Sequence, residues 1–157
     1  MSFGCGTPED LSRLLRLFKA ANQGTGATTV NLRGCEKITG QTLCEVLARD
    51  AESAALIDTI DVSLMGGMGG RIPPDFGALM PSLRCLSASG CDLRGGLHRI
   101  LPSQIVGGLR ELDVSDNGID DVSASLPRLS QLGKDSPSGP WNQHHTKRHP
   151  FINCSIP

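Results

Sequence analysis

An eleven-residue pattern that returns at a nearly fixed interval constrains this chain more than any other feature. Leu109-Arg-Glu-Leu112-Asp-Val114-Ser-Asp-Asn117-Gly-Ile119 has apolar residues at relative positions 1, 4, 6 and 11, and asparagine at position 9. Leu83-Arg-Cys-Leu86-Ser-Ala88-Ser-Gly-Cys91-Asp-Leu93 keeps that register 26 residues earlier, with cysteine at position 9. Ile57-Asp-Thr-Ile60-Asp-Val62 begins 26 residues before that, and Ala27-Thr-Thr-Val30-Asn-Leu32-Arg-Gly-Cys35 a further 30 residues back. A period of this length means stacked units that each bury an apolar face against the next. Positions 4 and 6 alternate with 3, 5 and 7, so a short strand turns 4 and 6 into the core and the others to an exposed surface. At position 9 the chain turns inward and leaves backbone groups without ladder partners, which a side-chain amide satisfies as donor and acceptor at once. Asn117 meets that need fully; Cys35 and Cys91 suit a buried, polarisable slot. All three are read as structural.

The pattern L-x-x-L-x-L-x-x-N/C-x-L resembles that of leucine-rich-repeat proteins, over about residues 27–132, with two of the four copies complete. The resemblance implies an α/β fold: a short solenoid of about four repeats, parallel strands on its concave face, and an N-terminal capping helix. Two repeat subtypes are mixed. Cys35-Glu-Lys-Ile38-Thr39, followed by Leu43, Val46 and Leu47 at helical spacing, looks like the cysteine-containing subtype with a helical return. Ile72-Pro73 and Gly77 resemble the plant-like subtype, in which proline stops a regular helix. That second copy has Met65 at position 9 and is expected to be irregular.

The flanks read differently. In residues 1–26, Thr7 is placed as an N-cap, Pro8 at the first helical position and Glu9 and Asp10 in the first turn. Leu11, Leu14, Leu15 and Phe18 form one stripe, expected to cover the open end of the first repeat. A membrane-surface or partner-binding helix is the competing reading. Residues 133–157 hold four prolines and three histidines with almost no periodic apolar residues, so a disordered tail is expected. The last repeat then stops after Leu126 and Leu129, leaving an uncapped end that favours self-association.

Composition narrows function further. Fifteen basic and sixteen acidic residues give a net charge of −1, with no global pull toward nucleic acid or an anionic membrane. Five aromatics in 157 residues exclude an aromatic stacking platform and leave an aliphatic core. With no secretory signal and no apolar run of membrane-spanning length, the chain is expected to be cytoplasmic with reduced cysteines. Catalytic spacings are absent: Gly66–Gly70 lacks the Lys-Ser/Thr of a phosphate loop. His145-x-x-x-His149 with Cys154 falls short of a zinc tetrad.

The resemblance therefore implies a non-catalytic adaptor or scaffold that binds another protein through its concave strands, with no cofactor and neither nucleic acid nor membrane as partner. Arg33, Asp58, Asp61, Arg84, Arg110, Glu111 and Asp113 form the expected contact strip; the stacked Arg84 and Arg110 either fan into solvent and pair with Asp58, Glu111 and Asp113 or grip a partner's carboxylate. Small neighbours such as Ser87, Ser89 and Ser115 leave room for the approaching segment. The alternatives are a metal-binding or enzymatic function in the His/Cys-containing tail and the substrate receptor of a ubiquitin ligase. For the latter, residues 1–26 are too short to hold an F-box.

Overall fold

The computed structural model of the chain describes residues 7–22, 28–106 and 108–120. Four strands, β1 (Thr28–Asn31), β2 (Ile57–Asp61), β3 (Cys85–Ser87) and β5 (Glu111–Asp113), form an all-parallel sheet ordered β1-β2-β3-β5. The sequence interval is the ladder register. Val30 pairs with Ile60, Ile60 with Leu86, and Leu86 with Leu112. The sheet is thus a mixed α/β arrangement in which spatial order follows chain order. Position 4 (Val30, Ile60, Leu86, Leu112) and position 6 (Leu32, Val62, Ala88, Val114) are buried in all four copies. The pleat requires this when one face meets the core.

The copies deviate at one rung. Thr28 pairs with Ile57 but Thr29 pairs with Thr59, so a bulge sets Asp58 outside the β1–β2 register. A column aligning Thr28 with Asp58 is therefore corrected: two residues of β2 face one of β1 there.

The return segments differ as their sequences do. Helix α2 (Gly40–Arg49) begins with a reciprocal cap: Thr39 Oγ1 accepts from the Thr42 N–H, and the Thr39 N–H donates to Thr42 Oγ1. Leu43, Val46 and Leu47 face the core. A short α3 (Ala51–Ala54) follows. The second return has a 3₁₀ turn at Gly66–Met68 and a single helical turn, α4 (Phe76–Leu79), after Pro73-Pro74. The third runs through β4 (Arg94–Gly95), α5 (Leu97–Ile100) and α6 (Ser103–Val106). A small second parallel sheet pairs β4 with β6 (Gly118–Ile119), which the strand pattern alone does not foretell. Gly77 lets α4 and α6 touch, because a Cβ there would lie 2.5 Å from Gln104 Cβ.

Helix α1 (Pro8–Asn22) packs against α2 and α3, with Leu11 and Leu15 fully buried and Leu14 partly so. Thr7 Oγ1 accepts from the Asp10 N–H, satisfying one orphan donor of the first turn. Leu17, on the opposite side, is 67% exposed. The tail 133–157, with Leu126 and Leu129 before it and the histidines and Cys154 within it, lies outside the described residues.

Candidate functional site

The strand surface is built by what happens at positions 5 to 9 of each copy. Asn31, Asp61 and Asp113, at position 5, each turn a side-chain oxygen back onto the N–H two residues on, at 2.8–3.0 Å. These Asx turns bend the chain as the strand ends. Position 8 then adopts left-handed backbone in all four copies: Gly34, Leu64, Gly90 and Asp116 have φ between 54° and 71°. Two glycines and an aspartate suit that conformation, whereas Leu64 carries a Cβ into it. Leu64 is also 50% exposed and leans over Gly90.

Position 9 then points inward. Asn117 Oδ1 accepts from the N–H groups of Cys91 and Leu93 at 2.9 and 3.0 Å. Its Nδ2 hydrogens are shared among the carbonyls of Ala88, Val114 and Ser115, all within 2.9 Å. Cys91 sits one copy earlier in the equivalent slot, its Sγ donating to the Val62 carbonyl just as Asn117 donates to that of Ala88. Cys35 and Met65 are buried at the same position. Burial raises the Cys91 thiol pKa, partly offset by the backbone N–H groups of Met65 and Leu64.

The expected contact strip is divided. Asp61, Glu111 and Asp113 line one shallow groove of about 130 Å³ on β2, β3 and β5, together with Thr59, Cys85 and Ser87. Arg33, Asp58, Arg84 and Arg110 do not line it. The groove is therefore acidic, with the arginines outside. Arg84 Nη1 donates to the Gly108 carbonyl at 3.0 Å, so part of the fork expected to grip a carboxylate is held by the protein itself. Asp58, displaced by the bulge, has one buried carboxylate oxygen without a partner. Burial pushes up the Cys85 thiol at the groove floor; a Thr59 hydrogen bond opposes this, and Glu111 and Asp58 reinforce it.

The serines at position 7 are a second correction. Ser115, expected to leave room for an approaching segment, is 6% exposed, and Ser63 at the same position is 0% exposed, whereas Ser89 is half-buried and Ser87, at position 5, lines the groove. The strands end at position 5, and the serines at position 7 turn their hydroxyls toward neighbouring copies, while Arg33 at that position of the first copy stays exposed. Ser63 Oγ lies 2.8 Å from Ser87 Oγ and accepts from the Ser89 N–H. Ser115 Oγ donates to Asp113 Oδ1 and lies 3.0 Å from Ser89 Oγ. The signal was present in the sequence as serine at 63, 89 and 115, and as glycine or aspartate at 34, 90 and 116. Strand alternation, extended too far, points those positions outward.

Among the described residues, no group of three or more His, Cys, Asp or Glu could hold a metal ion, and no helix is long and apolar enough to cross a membrane. Comparison with protein-family models, with curated proteins and with solved structures finds no match.

Proposed function

We propose that the chain is a short leucine-rich-repeat solenoid acting as a non-catalytic protein-binding module in the cytoplasm, with recognition on its strand face. The observation that carries this reading is the strand order itself. Four parallel strands follow the chain one copy at a time, and this aligns equivalent side chains of separate copies about 4.8 Å apart into one surface. On that surface Asp61, Glu111 and Asp113 share a groove without a lining cation, while exposed Arg84 and Arg110 stand outside it. A complementary segment presents basic side chains to the groove and acidic ones to the arginines. Charge matching of this kind sets specificity and association rate more than affinity.

The test is site-resolved photo-crosslinking in cells, with the crosslinking residue at Ser87 in the groove or at Ala48 on the exposed side of α2. A partner trapped from position 87 and lost when Asp61→Lys and Asp113→Lys are combined supports the reading. Asp61→Asn and Asp113→Asn, which keep a turn-forming oxygen, control for loss of fold. The same partner trapped from position 48 alone overturns the strand-face assignment.

A further inference from the structure

A second cleft lies on the return side and shares no residue with the strand groove. Its volume of about 360 Å³ sits at the low end of the roughly 300–1,000 Å³ typical of small-molecule sites. Two consecutive returns make its walls, residues 71–74 and 98–104, and the Ile72 N–H donating to the Ile100 carbonyl at 3.0 Å fixes one against the other. Buried Ile72 and Leu101 form an apolar floor. The absence of a side chain at Gly77 brings α6 in close, setting Ser103 and Gln104 on the rim.

The charge of this cleft is one-sided. Among the described residues Arg71, His98 and Arg99 line it and no carboxylate does, in a chain whose acids outnumber its bases by one. All three side chains are exposed, and within the described residues none has a hydrogen-bond or ion-pair partner. The nearest acid in sequence, Asp75, is not among the residues that line it. Two arginine forks and an imidazole lining one cleft from two segments offer donors to more than two oxygens. A carboxylate has two; a phosphomonoester dianion has three strong acceptors and twice the charge. The apolar floor suits the organic group that bears it.

We propose that this cleft binds a phosphomonoester, carried either by a small metabolite or by a phosphorylated side chain. The test titrates the full-length, isotope-labelled chain with phenyl phosphate and follows its amide resonances. Saturable shifts are expected at Arg71, His98, Ser103 and Gln104, with affinity falling as salt screens the charges. Arg71→Gln and Arg99→Gln should each weaken binding at least tenfold without moving the melting temperature, since neither side chain has a partner to lose among the described residues. A phosphoserine peptide that binds more tightly than phenyl phosphate supports the site and assigns a protein-borne source. One that binds equally or less tightly supports it and assigns a small metabolite. Benzoate binding as tightly as phenyl phosphate, shifts confined to other regions, or undiminished affinity in either arginine variant would each overturn the proposal.

Discussion

Replacing Asn117 with alanine strips one slot of five hydrogen bonds. Oδ1 is the sole acceptor shown for the Cys91 and Leu93 N–H groups, and Asn117 is only 6% exposed, so water reaches the vacated site poorly. A buried donor left unpaired costs about 1–3 kcal/mol. Two such donors, with three carbonyls that lose a shared partner, come to about 3 kcal/mol after partial relaxation. At roughly 2–4 °C per kcal/mol for a chain of this size, the melting temperature should fall by about 6–12 °C. Arg110→Ala, at an exposed site in the same copy, should cost no more than about 1 kcal/mol, the ceiling for an exposed pair. Thermal and urea melts followed by circular dichroism measure both, and amide exchange locates the damage: Cys91 and Leu93 should lose protection before Val62, whose N–H donates to the Ser87 carbonyl. Asn117→Asp sharpens the test. A carboxylate facing three carbonyls must take up a proton to stay buried, which raises its folded pKa above the unfolded value of about 3.9. Its stability is then retained at low pH and lost as pH rises above about 4. Equal shifts for Asn117→Ala and Arg110→Ala, or an Asn117→Asp variant that is more stable at pH 7 than at pH 4, would refute the reasoning.

Cys91→Asn should be tolerated within about 1 kcal/mol of the parent by the same melts, because Cys91 and Asn117 donate to equivalent carbonyls one copy apart. Leu64→Gly should raise the melting temperature by about 2–4 °C, since relief of a left-handed Cβ outweighs the added chain entropy. Gly90→Ala should be costly alone and cheaper in the Leu64→Gly background, because the new Cβ would sit 2.7 Å from Leu64 Cδ2; an additive double-mutant cycle contradicts this. Gly77→Ala should destabilise by about 1–3 kcal/mol, as the clash meets Gln104 and Ile105 backbone as well as side chain. Burial, helped by Asp75 and Glu45, pushes the Cys44 thiol up from 9.0 to about 11. The unfolded thiol ionises first, so this contribution is intact below pH 9 and lost between pH 9 and 11; Cys44→Ser should flatten the alkaline limb of the stability profile.

How far these properties could be read from the sequence depended on how local their causes are. The parallel sheet and its register were legible because the 26- and 30-residue intervals are the rungs themselves, as in Leu86 beside Leu112. Where local rules ended, so did the reading. The Asx turns at Asp61 and Asp113 use side chains that look like free surface charge, and Ser63 and Ser115 beyond them are buried against strand alternation. The bulge at Asp58 follows from fitting β2 to β1, which neither strand encodes alone. The groove and the cationic cleft each join residues from separate copies, so their membership depends on side-chain direction across rungs. Arg84 illustrates this: its partner is a carbonyl 24 residues away.

Strands that neighbour each other in space in the order they occur in sequence also determine how the molecule answers to load. Force applied to the chain at either end of the ladder reaches β1 or β5, the two outer strands, and bears on one rung of hydrogen bonds at a time. Each rung that opens, with the β4–β6 pair where β5 is the strand that parts, frees one copy, and 26 residues at about 3.5 Å each lengthen the tether by roughly 90 Å. The first copy, 30 residues long, yields a longer step than the others. Under tension the sheet gives way as a short staircase of nearly equal treads, and the odd tread tells an observer from which side it has begun to part.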